Sequence, residues 1–286
     1  MSVKFGCCLM LGSFVPQSAG SSTPGAADQV RAGLSALSRA GYDFAEMTVQ
    51  SLTRLSEEQF AEVRLAIGES ALRVPAFNSF IPGSLKLTGP DASESEQDEY
   101  LDLALQRVKA VGGELIVFGS GAARSVPAGF PVERGLEQIR RFLERCGQYA
   151  AKYGVTIVIE PLNGKESNVI NTVREAMALA EELGHPQIKV LADSYHMDLE
   201  KEPFAVVEEA ASKGLLSHVH ISGRNRRFPG TADEREEIDF AQMFRALQRS
   251  GYSGGISAEC KSEHYEEDSA KSIAYVRAKW RDAAGR

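Results

Sequence analysis

Eight short apolar runs recur along the 286-residue chain, each followed by a longer amphipathic segment, and this alternation constrains the fold more than any other feature. The runs are Val3–Leu9, Tyr42–Val49, Leu72–Ala76, Leu115–Phe118, Thr156–Ile159, Ile188–Ala192, Ser217–Ile221 and Gly255–Ala258. They are rich in β-branched or aromatic residues and bounded by Gly, Asn, Ser or Pro, as buried parallel strands are. The segments between them carry helical periodicity: Ala27–Ala40, Glu57–Ile67, Gln97–Val111, Val132–Tyr153, Val173–Leu183, Phe204–Lys213, Phe240–Ser250 and Asp268–Ala284. Gly41, Gly113, Gly154, Gly184 and Gly251 precede strands, where a glycine stops a helix. Alternating strand and helix implies a parallel sheet with right-handed crossovers. Eight units is the number that closes an α/β (β/α)8 TIM barrel, and an open doubly wound sheet is the rival. No linker or composition shift divides the chain, so residues 1–286 read as a single (β/α)8 barrel domain.

Composition acts by exclusion. An apolar share of 43% and a charged share of 25% fit a folded globular chain and not a disordered one. Lys plus Arg number 32 against 39 Asp plus Glu, and the net charge of −7 argues against nucleic acid as a partner. No run approaches the ~18 apolar residues that span a bilayer, so no membrane partner is expected. The N-terminal Met1-Ser2-Val3-Lys4-Phe5-Gly6 lacks the apolar stretch and cleavage site of a signal peptide. Cys7, Cys8, Cys146 and Cys260 follow no disulfide or zinc spacing and read as buried structural thiols, consistent with a cytoplasmic location.

In such a barrel, function collects at the C-terminal ends of the strands. Ile157-Val158-Ile159 is followed by Glu160, Val190-Leu191-Ala192 by Asp193, and Ile256-Ser257-Ala258 by Glu259. In the seventh run His218 and His220 alternate and so face one side. Four consecutive strands thereby end in Glu160, Asp193, His220 and Glu259. Neighbouring strands lie ~4.8 Å apart, so the four can converge on one ion. A solvated strand end or a helix cap explains any one of them, but not four in register. Three carboxylates and an imidazole suit one divalent metal ion, Mn²⁺ first with Mg²⁺ or Co²⁺ as alternatives, better than a structural zinc.

Several segments carry a family resemblance. They are Glu160-Pro161-Leu162-Asn163 with Glu166, Asp193-Ser194-Tyr195-His196-Met197, His218-Val219-His220 with Arg226, and Pro82-Gly83-Ser84-Leu85-Lys86-Leu87-Thr88-Gly89. Together they resemble the ketose 3-epimerase (D-tagatose/D-psicose 3-epimerase) branch of the xylose-isomerase-like TIM-barrel sugar isomerase/epimerase superfamily. The resemblance covers nearly the whole chain. It implies metal ligation by Glu160, Asp193, His220 and Glu259, substrate contacts from Glu166, His196 and Arg226, and proton transfer by the two ligand glutamates. Glu160 and Glu259 lie on strands three apart, so they can flank a substrate from opposite faces. A divalent cation holding a carbonyl and its neighbouring hydroxyl stabilises the enediolate. Proton return on the other face epimerises, and return to the other carbon isomerises. Oligomers are common for such barrels, so a homodimer or homotetramer is expected.

Other features bear on the substrate. The family often carries a carboxylate three positions after the metal histidine, where this chain has Gly223, followed by Arg224, Asn225, Arg226 and Arg227. That stretch reads as a solvated basic loop, or else as a site for a phosphate or carboxylate. Gly6-Cys7-Cys8 offers no aromatic for sugar stacking, a place Phe14 can fill. Asn78 and Phe80, after the third run, line the pocket or serve the core or a turn. Gly119-Ser120-Gly121 is no phosphate loop and reads as a tight turn, or as a close approach to substrate. His218 and Trp280 are expected to pack, and His185 and His264 to be solvated.

These readings point to a divalent-metal-dependent sugar isomerase/epimerase acting on a ketose or keto-sugar. The alternative is a metal-dependent lyase on the same scaffold, a keto-inositol dehydratase or keto-glycoside eliminase, which makes the same enediolate and expels a leaving group. A trinuclear-zinc DNA-repair endonuclease needs many histidines, and the chain has 5. A non-catalytic sugar-binding module has no use for four ligands and two bases.

Overall fold

Strands this short, apolar on both faces, are stable only with neighbours on either side and helices over the outer face. The computed structural model, which describes residues 3–14, 24–233 and 237–285, meets that demand by closing the sheet. Met1 and Ser2 of the N-terminal segment lie outside the described residues. The first half runs β1 (Lys4–Cys8), α1 (Ala26–Ala40), β2 (Phe44–Thr48), α2 (Val49–Thr53), α3 (Glu57–Gly68), β3 (Ala76–Asn78), α4 (Glu94–Ala110) and β4 (Leu115–Phe118). Next come α5 (Gly121–Arg124), α6 (Val132–Tyr153), β5 (Thr156–Ile159), α7 (Val173–Leu183), β6 (Ile188–Asp193), α8 (Ser194–Glu200) and α9 (Ala205–Ser212). The chain ends with β7 (Leu216–Ile221), α10 (Phe240–Arg249), β8 (Gly255–Ala258) and α11 (Tyr265–Ala284). The strands pair in sequence order, all parallel, and β8 returns to β1 in the register Lys4 to Gly255 through Cys7 to Ala258. This is the (β/α)8 barrel, and the open-sheet rival is excluded.

The outer layer follows from helical periodicity. α6 buries Ile139, Phe142, Leu143, Cys146 and Ala150, and α10 buries Phe240, Met243, Phe244 and Leu247, each a single stripe against the strands. Trp280 packs edge-on to Phe5 and Phe244, with ring centroids at 5.9 and 5.3 Å. The four cysteines are buried and free, and burial pushes the Cys7 thiol up to about 12. Among the described residues no helix is long and apolar enough to cross a membrane.

Three elements differ from the sequence reading. The third strand is Ala76–Asn78 and not Leu72–Ala76, because Pro75 has no N–H to give to the ladder and pairing begins after it. Asn78 therefore lies in the strand, and Phe80 is fully buried against Tyr100 instead of facing a pocket. Before β4 it is Gly112 that takes the left-handed conformation, at φ 84°, while Gly113 packs against Val108 and Phe77. The short helices α2, α5 and α8 sit in the loops after strands and are too brief to leave a periodic signal.

Alternation along each strand sends Phe44 and Glu46, Val117, Val158 and Glu160, Leu191 and Asp193, His218 and His220, and Ser257 and Glu259 into the barrel. Val117, Val158 and Leu191 make a small apolar cluster apart from the main core. At the N-terminal end the Phe44 ring fills space that two absent side chains leave. A Cβ at Gly6 would stand 2.2 Å from a carbon of that ring, and one at Gly255 2.9 Å. Gly6→Ala should therefore destabilise the barrel by about 1–3 kcal/mol in urea unfolding. Phe44→Leu in the same chain should recover part of the loss, and strictly additive losses would refute the shared space.

Candidate active site

The ladder geometry delivers four side chains to one place. Asp193 pairs with His220 across β6 and β7, and Ile221 with Ala258 across β7 and β8. Pairing continues one residue past the strands, since the Glu160 N–H donates to the Phe118 carbonyl and the Glu259 N–H to that of Ile221, each at 3.1 Å. His220 Nδ1 then lies 3.2 Å from Glu160 Oε1 and 3.6 Å from Glu259 Oε2. One donor atom each from Glu160, Asp193, His220 and Glu259 falls within 4.8 Å of the others. Of the cluster, Glu259 lines a cleft of ≈ 360 Å³, together with Cys8, Glu46, Asn78, Glu166, Tyr195 and Arg226 among others.

Each remaining sequence candidate has a definite place. Arg226 Nη1 donates to Asp193 Oδ2 and Glu259 Oε2, both at 2.7 Å, and its guanidinium lies 4.3 Å over the Tyr195 ring. Asn225 and Arg226 both adopt positive φ, 60° and 59°, and the Arg226 carbonyl accepts from the Lys261 N–H at 2.7 Å. That strained turn carries Arg226 inward. Arg224 instead turns to Asp198, at 3.0 and 3.2 Å, so the three arginines do not gather into one anion site. His196 is buried behind Arg226, its Nε2 2.7 Å from Nη2 and its Nδ1 accepting from the Asn163 N–H at 3.0 Å. Glu166 accepts from Asn163 Nδ2 at 2.9 Å. Asn78 Nδ2 reaches Glu259 Oε1 at 3.3 Å. Phe14 is buried edge-on to Tyr265, which itself lines the cleft, so Phe14 stands one layer behind the lining.

Gly119-Ser120-Gly121 proves to be a close approach to the site's own residues. A Cβ at Gly119 would meet Glu160 Oε2 at 2.3 Å, and one at Gly121 the Glu166 carbonyl at 2.4 Å. β4 gives no donor to the cluster, yet Gly119, directly after it, leaves the room Glu160 needs.

Glu46 is the residue the sequence reading missed. It stands in the inward row of β2, fully buried, with Oε1 2.9 Å from His220 Nε2 and Oε2 2.8 Å from His218 Nε2. His218 Nε2 also lies 3.1 Å from Ser257 Oγ. Burial alone would raise the Glu46 carboxyl, but the His220 and His218 rings outweigh it and hold it far below the ordinary carboxylate range. His220 is the reverse case: burial opposes its charge, and Glu46 and Glu259 override that and raise it well above the usual imidazole value. Burial also raises Glu259, against the pull of Arg226, whereas in Asp193 Arg226 and the neighbouring histidines outweigh burial and lower it. A lone carboxylate at an inward position of the run Phe44-Ala45-Glu46-Met47 was the available signal.

The donor set fits a divalent cation. Atoms bound ~2.1–2.3 Å from a shared centre must lie about this close to one another. With Nε2 bonded to the Glu46 carboxylate, Nδ1 is the nitrogen His220 turns toward the other donors, the arrangement by which carboxylates orient ligand histidines. Cys8, Glu46 and His220 form a second gathering that shares this histidine; burial raises the Cys8 thiol well above its ordinary range, and Glu46 bonds His218 with one oxygen and His220 with the other.

Comparison with known proteins agrees with this geometry. The model of the xylose isomerase-like TIM barrel family matches residues 34–279, and the chain belongs to that family. It is 28% identical over 256 residues to an L-ribulose 3-epimerase from Methylomonas sp. (strain DH-1), spanning 88% of this chain and 86% of the relative. It is 28% identical over 187 residues to the 3-dehydro-D-guloside 4-epimerase of Escherichia coli (strain K12), 62% of this chain and 69% of that one. The fold matches a crystal structure of D-allulose 3-epimerase from Methylomonas sp. in complex with D-allulose, with a TM-score of 0.80, 23% identity and 97% of both chains covered. The curated relatives are epimerases by name, which places the chain among isomerases and bears out the resemblance read from the strand-end motifs.

Glu46→Gln keeps the size but removes the charge that orients His220 and replaces one acceptor oxygen by a donor amide. It should weaken Mn²⁺ binding about 10-fold in titration calorimetry. Unchanged affinity would assign Glu46 to barrel packing alone.

Proposed function

We propose that the protein is a divalent-metal-dependent epimerase of a ketose or keto-sugar, with Glu160 and Glu259 as its acid/base pair. The observation that carries this reading is His220 Nδ1 lying 3.2 and 3.6 Å from those two carboxylates, of which Glu259 lines the cleft. Relatives that epimerise at carbons 3 and 4 of different sugars support the reaction class. Glu160, Asp193, His220 and Glu259 would hold the ion, Mn²⁺ by the hardness of the donors. When bound, it supplies Lewis-acid polarisation of a carbonyl oxygen and the neighbouring hydroxyl.

The chain's own groups do the rest. One of the two glutamates takes the proton α to the carbonyl and the other delivers one to the opposite face, which inverts the carbon. Arg226 and Glu166 line the cleft and would bind sugar hydroxyls. His196 acts through Arg226, which it touches from behind. Asn78 also lines the cleft, and its buried Oδ1 has no partner among the described residues, an acceptor suited to a further hydroxyl.

The test is solvent deuterium. The Mn²⁺-loaded protein, given a panel of free and phosphorylated ketoses and keto-glycosides in D₂O, should label the carbon beside the carbonyl and lose no group. A product of lower mass absorbing as a conjugated enone would identify a lyase instead. No exchange from any sugar would refute proton abstraction. Glu160→Gln and Glu259→Gln, with the metal retained, should each lose exchange from one epimer. Arg226→Ala should lower kcat/KM ~10-fold or more.

A further inference from the structure

Behind the site stands a buried arginine whose hydrogen bonds reach no acid. Arg124, the last residue of α5, is fully buried. Nη1 donates to the main-chain oxygen of Glu160 at 2.8 Å and of Phe118 at 3.2 Å, and Nη2 to that of Ile170 at 3.0 Å. Nε reaches Ser167 Oγ at 3.4 Å. One guanidinium thus ties together the end of β4, the end of β5 and the far side of the loop between β5 and α7. An apolar side chain of that size would suit a buried position better if packing were the only requirement, since a guanidinium in the interior must be desolvated. The fork geometry of arginine is what lets one side chain reach three carbonyls on separate segments.

The loop it holds is strained. Ile170 adopts φ 57°, a conformation that a β-branched residue avoids. Its carbonyl accepts from Arg124 and from the Leu162 N–H at 3.2 Å, which closes the loop on itself. Between those two ends lie Asn163, which bonds His196, and Glu166, which lines the cleft. Strain of this kind persists only where the surroundings over-determine it.

We propose that Arg124 is a positioning residue of the active site, which sets Glu160 toward the metal cluster and Glu166 toward the cleft by fixing the main chain on either side of them. It acts through the backbone, and among the described residues no hydrogen bond joins it to a cluster side chain. The proposal rests on the reading of Glu160 as a metal ligand, and the test separates the two. Mn²⁺ alone is titrated calorimetrically into the wild type, Arg124→Met, Arg124→Lys and Glu160→Gln, each shown to be folded by circular dichroism. Arg124→Met loses all three carbonyl bonds and should raise the Mn²⁺ dissociation constant about 10- to 100-fold. Arg124→Lys keeps the charge but not the fork and should fall between Met and the wild type. An unchanged constant in both Arg124 variants, with Glu160→Gln weakened, overturns the positioning role and leaves the metal reading intact. An unchanged constant in Glu160→Gln as well overturns the metal reading and this proposal with it. Should neither Arg124 variant fold, hydrogen exchange of the metal-free wild type decides. Slow exchange at the Leu162 and Ser167 amides supports a loop formed in advance, and exchange at open-chain rates until Mn²⁺ is added overturns it.

Discussion

A closed parallel barrel leaves the residues at mid-height with no water to turn to, so any polar group there must find its partner inside. In this chain that demand falls on Glu46, and it is met by His218 on one oxygen and His220 on the other. The consequence reaches upward. With Nε2 committed to Glu46, the ring of His220 can turn only Nδ1 toward Glu160 and Glu259. The packing of the barrel interior therefore decides which atom faces the mouth. Chemistry at the strand ends inherits its geometry from a hydrogen bond one layer below.

Charge follows the same layering. Glu46, Glu160, Asp193 and Glu259 crowd around His220 and Arg226, and close carboxylates at low dielectric are tolerable only with cations among them. Arg226 supplies one positive charge from a loop and not from a strand, and its backbone is strained to do so. The pattern is general in this molecule. All six described non-glycine residues with positive φ, namely Ser79, Ser120, Ile170, Lys201, Asn225 and Arg226, lie in the segments that follow β3 to β7. Strain is thus concentrated on the face where the candidate site lies, as happens when a scaffold is rigid and its loops carry function.

The barrel and the four-residue cluster were legible because both depend on periodicity. Strand runs spaced by helices fix the architecture, and a polar residue closing each run marks the mouth of the barrel. What periodicity cannot convey is pairing. Glu46 is one charge in an apolar run, and only the three-dimensional register shows that it faces two histidines. Nothing in the sequence singles out Arg124, whose burial under the loop after β5 depends on contacts 36 to 46 positions away. His196 was legible as part of a motif, but not that it sits behind Arg226. The misplacement of β3 has a local cause: Pro75 joins an apolar run by composition and is barred from its ladder by chemistry.

Asp193 serves two elements at once. Its Oδ1 accepts the Tyr195 N–H at 2.7 Å and so caps α8, which leaves Oδ2 to face the cluster. An oxygen that accepts one N–H keeps a second lone pair, but the bond to the helix end fixes the orientation of the whole carboxylate. Any cation seated here would accordingly meet a carboxylate whose orientation is already set, and its retention would depend on how well separate strands are aligned. Affinity then becomes a property of the barrel's register, sensitive to small slips in strands that carry no ligand at all.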